Sequence, residues 1–350
     1  MPRIHVRVID LEDATDRERA DVFVRGHPES TVFHLSAWAR SVAKGCGQRP
    51  CYMVAERGGA IVGVLPMIHV RSPIFGQSLI ATAFAVRGGP LAFDDDTHDA
   101  LDVAAWELAT KLGIGALEYR SERRVRADWP AKLDSYASFR RPLSVDSDTN
   151  LKAIPRKQRA EVRRSLEFDL EVRVGSDGIA ARDHYAVYAE SVRNLGTPVF
   201  PRALFTSLLE LYGREADILT VHKNSVPVAS VLSLYYRNEV IPYYGGGTAA
   251  ARGLRANDHM YWMLMEHARE RGCSSFDFGR SKIGTGAYSF KKNWGFEPVP
   301  LAYEYRLADG EAIPDINPLN PKYRIMTEVW SHLPLWLANR VGPVISRGIG

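Results

Sequence analysis

Two stretches of the chain show the same succession of apolar and polar positions and align without a gap. Residues 54–67 read VAERGGAIVGVLPM and residues 221–234 read VHKNSVPVASVLSL. Each predicts a short strand, a polar turn and a longer strand rich in β-branched residues, which together make a hairpin. The segments after the two hairpins are also alike. Arg87-Gly-Gly-Pro90 comes after the first and Tyr244-Gly-Gly-Gly247 after the second, and each glycine turn leads into a helical period. The predicted helices cover residues 97–112 and 257–271; in the second, Met260, Leu264 and Ala268 repeat at helical spacing, and Trp262 and Met265 widen the apolar face. Each helix closes on a glycine, Gly113 or Gly272, as a left-handed C-terminal residue requires. A strand then ends the unit, at 116–119 and again at 275–278.

One order of elements occurring twice predicts a duplicated α/β (α+β) architecture: two tandem units with mixed, mostly antiparallel sheets flanked by helices. The periodicity breaks at Asp146-Ser-Asp-Thr-Asn150, which sets the expected boundaries at 1–148, 149–310 and a C-terminal extension, 311–350. The second unit opens on a basic helix after Pro155, carrying Arg156, Lys157, Arg159, Arg163 and Arg164. A further helix is expected over about 181–192, followed by the loop Arg193-Asn-Leu-Gly-Thr-Pro-Val-Phe-Pro201.

Composition narrows the classes. Among 350 residues, 45 basic and 41 acidic side chains leave a formal charge of +4, too small to imply wholesale coating of nucleic acid. An apolar fraction of 45% supplies a packed core. Three cysteines make no disulfide framework and fit a reducing compartment. With no secretory leader legible behind MPRIHVRVID and no apolar run of spanning length, a cytoplasmic location is expected.

Several motifs fail on inspection. Gly279-Arg-Ser-Lys-Ile-Gly284 lacks the lysine that a phosphate-binding P-loop places after its second glycine. Ser289-Phe-Lys-Lys292 has the S-x-x-K spacing without its partner motifs. No G-x-S-x-G elbow, HExxH pair or calcium loop occurs, so no metal site is expected.

Chemistry is densest in residues 276–300, FDFGRSKIGTGAYSFKKNWGFEPVP. Glycines at 279, 284 and 286 permit tight turns, and Arg280, Lys282, Lys291 and Lys292 surround them with cations, Tyr288 among them. Such a loop suits an anionic group or an oxyanion formed in acyl transfer. A glycine-rich connection with solvated lysines has the same composition.

FDFGRS followed by G-T-G-x-Y-x-F-K-K-x-W-G-F resembles the C-terminal signature of the FemAB-like acyltransferases, whose fold is a duplicated acetyltransferase-type (GNAT) domain. The peptidoglycan peptidyltransferases of that family move amino acids from charged tRNA onto an amine of a cell-wall precursor. Residues 193–201, 243–248 and 252–262 resemble the branch associated with exosortase and PEP-CTERM gene clusters, which implies exopolysaccharide or cell-envelope assembly. The resemblance implies that Lys291 of F-K-x-x-W-G stabilises charge on the reacting carbonyl, with Arg280 and Tyr288 positioning a carbonyl or phosphate. Asp277 would orient a cation or satisfy backbone donors, and Tyr243 and Tyr244 would line the acceptor cleft, Tyr244 being the best candidate for a general base. Where acetyl-CoA-binding members carry Q/R-x-x-G-x-G/A, this chain has Arg252-Gly-Leu-Arg-Ala-Asn257, so Arg252, Arg255 and Asn257 are the donor-site candidates.

The resemblance implies no tightly bound cofactor, an acyl-CoA or aminoacyl-tRNA co-substrate, and a small-molecule or carrier-linked acceptor. Arg156 and Arg159 would hold a polyanion such as a charged tRNA, or else form a solvated face offset by Glu161 and Glu167. The last thirty residues mix Trp330, Leu333, Trp336, Val341 and Val344 with Arg340 and Arg347. They suit peripheral contact with the inner face of a membrane, or packing on the protein. A non-catalytic binding module for a nucleotide-sugar or a polysaccharide-assembly partner stays open as the alternative.

Overall fold

The computed structural model describes residues 2–314 and 321–350. Contacts divide the chain into two compact units: Met1–Leu133 with Leu301–Ile316 and Ile345–Gly350, and Asp134–Pro300 with Asn317–Val344. Both are mixed α/β units, as the periodicity predicts. The division differs from the expected 1–148, 149–310 and 311–350 at both junctions, and residues 315–320 of the expected extension lie outside the described residues. The reason is a pair of strands that local pattern does not assign.

In the first unit, β1 (His5–Val8), α1 (Ala14–Gly26) and α2 (Ser36–Cys46) precede β2 (Arg49–Arg57), β3 (Ala60–Ser72) and β4 (Gly76–Ala81). After β5 (Leu91–Ala92), α3 (Asp95–Lys111) leads to β6 (Ala116–Ser121) and β7 (Ala131–Lys132). The second unit contains β8 (Tyr136–Pro142), α4 (Ser147–Ala153), α5 (Arg156–Ser165), β9 (Glu171–Gly175), α6 (Gly178–Asn194) and α7 (Arg202–Tyr212). Then come β10 (Ala216–Lys223), β11 (Val226–Tyr236), β12 (Glu239–Gly247), α8 (Ala256–Glu270), β13 (Ser275–Lys282), α9 (Gly286–Asn293) and β14 (Pro298–Pro300). The chain ends with β15 (Ala302–Leu307), α10 (Pro321–Ser331) and α11 (Leu335–Ser346).

The first sheet runs β1-β2-β3-β4-β6-β15-β7 with β5 on β3; the second runs β14-β8-β13-β12-β11-β10-β9. In each, three antiparallel strands are followed by a helix and a strand parallel to the third: β4 with β6, and β12 with β13. The strand beyond is traded. β8 follows β6 in sequence but pairs with β13, and β15 follows β13 but pairs with β6. Each unit therefore borrows its last antiparallel strand from the other side of the chain's midpoint.

Local chemistry explains the repeated parts. Both hairpins turn on two residues of positive φ, Gly58 and Gly59 in one and Asn224 and Ser225 in the other, the geometry that matches strand twist. Gly113 (φ 68°) and Gly272 (φ 80°) follow the helices as left-handed caps. Asp146 does not merely interrupt the pattern; its carboxylate accepts from Thr149 N and caps α4. The second unit's core lies between its sheet and α5, α8 and α9, with Phe276, Phe296 and Trp294 among its fully buried side chains. Cys46, Cys51 and Cys273 are free and buried. No helix among the described residues is long and apolar enough to cross a membrane.

Candidate functional site

The parallel strands β12 and β13 pair at only two positions, Glu239↔Ser275 and Val240↔Phe276, before they part. Charged side chains hold that junction. Arg140 of β8 reaches Glu239 through Nε at 2.7 Å and Asp277 at 3.5 Å, and Ser275 Oγ donates to Glu239 at 2.9 Å. Asp277 is buried and accepts a hydrogen bond from the Gly279 amide at 2.8 Å. Gly279 (φ 68°) sits in the irregularity where β13 shifts register against β8, in the left-handed region that a side chain disfavours. The bulge re-aims the carbonyls of Gly279 and Arg280.

Lys291 meets those carbonyls. The helix that carries it, α9, is capped by Thr285, whose hydroxyl accepts from Tyr288 N, and is anchored by Trp294, fully buried just past its last turn. Lys291 Nζ donates to Gly279 O at 3.1 Å and to Arg280 O at 2.8 Å, and lies 5.4 and 5.8 Å from the Phe139 and Phe278 rings. Burial among these rings pushes the amine down from the ordinary lysine range to about 7, with Asp277 opposing the shift and Arg280 reinforcing it. Two of its three N–H groups are committed to carbonyls when it is charged. The third is left over as a charge-assisted donor.

The neighbours divide into three places. Tyr288 stacks edge-on against Phe139 at 5.3 Å, the ring that Lys291 also meets, while Arg280 lies over the Tyr136 ring at 4.7 Å and reaches Lys291 through its charge. Tyr244 is elsewhere. Its ring is buried against Tyr188, Phe200 and Phe205, on the sheet face that α6 and α7 cover, with Tyr243 at 4.7 Å. Phe278, against which Lys291 lies, belongs to the core on the face that α8 covers. The two residues expected to share catalysis thus approach the parting strands from opposite faces.

The donor-site candidates form the third place, at the start of α8. Side chains crowd the glycines that lead to this point: a Cβ on Gly246 would stand 2.1 Å from Ser191 Oγ, and one on Gly247 would stand 2.6 Å from Asn257 Oδ1. Arg255 adopts φ 50° and commits its guanidinium to an ion pair with Glu161 of α5. Arg252 is exposed, and its side chain makes no hydrogen bond or ion pair among the described residues. Asn257 Oδ1 is buried without a hydrogen-bond partner. Gln158 donates to Asp258 at 2.6 Å, and burial pushes that carboxyl up to about 6. On α5, Arg156 is exposed while Arg159 donates to Lys152 O at 3.2 Å. Glu161 therefore offsets Arg164 and Arg255, while Arg156 and Arg252 keep their charge free for an anion.

Sequence reasoning missed Arg140, Glu239, Gln158 and Asp258. Arg140 and Asp277 are adjacent only because β8 pairs with β13, which no local pattern signals. Gln158 does carry a signal, since it shares the buried side of α5 with Val162 and Ser165. Among the described residues no group of three or more His, Cys, Asp or Glu could hold a metal ion.

Residues 153–292 match the family model of the acetyltransferase (GNAT) domain, a span that begins at the end of α4 and stops just past Lys291. The chain is similar to the lipid II:glycine glycyltransferase of Staphylococcus saprophyticus, at 27% identity over 93 residues, 25% of this chain and 22% of that protein. It therefore spans about a fifth of the length of the curated relatives it matches. Among solved structures, FemX superposes with a TM-score of 0.65 at 15% identity, covering 92% of this chain and all of that one. A tandem GNAT protein from the clavulanic acid biosynthesis pathway gives 0.56 at 13% identity, covering 89% and 100%. The fold is a tandem GNAT fold of the FemX type, and the expected FemAB-like resemblance stands at that level.

Proposed function

We propose that this chain is a FemAB-type acyltransferase: it moves an acyl or aminoacyl group from a carrier, charged tRNA or acyl-CoA, to an acceptor amine or hydroxyl. The observation that carries the reading is Lys291, whose ammonium is held by two main-chain carbonyls of the β13 bulge, beyond the last pairing of β13 with β12. Direct transfer needs no covalent acyl-enzyme. The acceptor attacks the carrier-bound carbonyl, a tetrahedral oxyanion forms, and its collapse expels the carrier's oxygen or sulfur. Lys291 donates to the oxyanion; Asp277 and Arg140 hold the bulge on which its geometry depends; Arg280 and Tyr288 orient the acyl group. Tyr243 lines the acceptor side, and Tyr244 is the candidate to take the acceptor's proton.

The donor end lies at α8, where Arg252, Arg156 and Arg159 supply cations and the first turn supplies main-chain N–H groups. Glu161 holds Arg255 away from that role in the free protein, and Asn257 shapes the turn. The similar staphylococcal protein is named for lipid II and glycine. This supports a carrier-linked acceptor in cell-envelope assembly; the segments at 193–201, 243–248 and 252–262 support the exopolysaccharide branch. An acceptor on a lipid carrier makes peripheral contact with the inner face of a membrane a part of the same reading, through the exposed Trp336 and Val344 of α11.

Calorimetry of coenzyme A and acetyl-CoA at moderate salt tests the donor. Saturable binding assigns it to the CoA-dependent enzymes, while its absence with aminoacyl-tRNA turnover assigns the other carrier. If neither donor is turned over with amine or hydroxyl acceptors under conditions where the protein is folded, the acyltransferase reading is lost. The binding-module alternative then takes its place.

A further inference from the structure

A second place in the molecule gathers charge that the acyl-transfer site does not use. In the first unit, the C-terminal end of α2, the β3–β4 turn and the residues after α11 enclose a groove of about 590 Å³. Cys46, Gln48, Arg71, Ser72, Gln77 and Arg347 are among its lining residues, and none of the lining residues is acidic. Arg71 and Arg347 are exposed, and neither guanidinium makes a hydrogen bond or ion pair among the described residues.

Their backbones are tied together by one buried side chain. Gln48 accepts from Arg71 N at 2.8 Å and donates to Arg71 O at 3.1 Å and to Arg347 O at 2.5 Å. It is only 6% exposed. A planar amide with three hydrogen bonds fixes the two arginine positions relative to each other before any ligand arrives. That is what a site needs if binding is not to cost the ordering of both strands.

The surroundings are positive throughout. The Cys46 thiol feels Arg347 as its one charged influence, and His69, 3.1 Å from the lining Gln77, is depressed by burial and then by Arg71 and Arg49. No carboxylate figures in either balance. The end of α2 brings only the partial negative charge of a helix C-terminus, about half a unit, against two or three whole cations. Guanidinium pairs of this kind match the oxygens of phosphate in bidentate fashion.

We propose that this groove is an anion-binding site for a phosphate or pyrophosphate group, separate from the acyl-transfer chemistry of the second unit. Two sources carry that chemistry, a soluble phosphorylated molecule and a phospholipid headgroup, and the phosphate group is what they share. The inference does not depend on Lys291 or on any acyl donor.

The test uses the full chain and two probes at 150 mM salt: inorganic pyrophosphate by calorimetry, and phosphatidylglycerol vesicles against phosphatidylcholine vesicles by co-sedimentation. Arg71→Gln and Arg347→Gln, both exposed positions, are made singly and together, with thermal melting to show that folding is unchanged. Each single change is expected to weaken the responsive probe about tenfold, as loss of a charge-assisted contact does. Gln48→Leu is expected to weaken it through misplacement of both arginines, with the guanidinium groups still present. Pyrophosphate binding alone identifies a soluble ligand; vesicle binding alone identifies a headgroup. If neither probe binds saturably, or if binding persists in the double variant, the proposal is overturned. Turnover by the Lys291 site is expected to be the same in all variants, so failure here is distinguishable from failure of the acyltransferase reading.

Discussion

The two units part their parallel strands at the same place in the fold and then treat the gap differently. In the first unit, pairing of β4 with β6 ends after Leu79↔Leu117 and Ile80↔Glu118. The chain then turns back through Thr82 (φ 46°) and Phe84 (φ 67°), and residues 82–88 close over the gap. Gly88 and Arg120 form an isolated bridge, Trp38 Nε1 donates to Ala83 O at 3.0 Å, and Tyr303 Oη donates to Val86 O at 3.0 Å. Buried Arg120 donates to Ala85 O and Gly350 O, both at 3.0 Å, and pairs with Glu118 at 2.6 Å. In the second unit no isolated bridge follows the last pair of β12 and β13 among the described residues, and beyond that pair Lys291 donates to Gly279 O and Arg280 O of β13. One skeleton is finished in two ways: in the first unit the chain's own polar groups bridge the gap, and in the second the strand beyond the last pair bulges at Gly279 and meets Lys291.

The largest expected effect comes from breaking the second gap. Lys291→Met should lower kcat/KM by about 10²–10³ through loss of one oxyanion donor, with Lys291→Arg recovering part of it. In thermal melting the Met variant, which leaves the Gly279 and Arg280 carbonyls without their donor, should compare with the wild type more favourably at pH 6 than at pH 9. The folded amine is depressed to about 7, so at that pH and below the wild-type chain carries a cation that folding disfavours. That cost is fully present below about pH 7 and shrinks as pH rises toward the ordinary lysine range. Equal rates for Met and wild type would remove Lys291 from the mechanism.

Breaking the first gap should do the reverse. Arg120→Ala leaves Glu118 and two main-chain carbonyls without their partner and should cost about 3 kcal/mol of stability in denaturant unfolding. Turnover per folded molecule should not change. A loss of kcat there would mean the first gap also takes part in the reaction.

Three smaller effects sharpen the contrast. Gly246→Ala should cost about 2 kcal/mol, because its Cβ meets Ser191 Oγ; a double-mutant cycle with Ser191→Gly should show coupling. The pH profile of kcat/KM should fall about tenfold per unit above about 7 as Lys291 loses its proton; a profile that rises through that region would recast the amine as a base. Thr285→Ala removes the cap of α9 and should cost about 1 kcal/mol in thermal unfolding, with a modest rise in KM.

Much of the site is legible in the sequence because its chemistry is crowded into one short stretch. Asp277 and Arg280 fall on one strand and Tyr288 and Lys291 on the helix that follows it, so proximity in sequence becomes proximity in space. Tyr244 and Lys291 illustrate the opposite case: the resemblance groups them, and the sheet separates them onto two faces. Arg255 reads as a free phosphate ligand until α5 brings Glu161 to it.

Turns, caps and periodicity are decided within a few residues, so the repeated hairpins, the glycines that end α3 and α8, and the hairpin–helix–strand succession in each unit are written in the chain. That β8 and β15 change places, that Arg140 reaches Asp277, and that Lys291 holds a depressed proton affinity beside two carbonyls follow from long-range packing. Strand pairing across more than a hundred residues and the electrostatics of burial depend on which surfaces meet, and no local window contains that information.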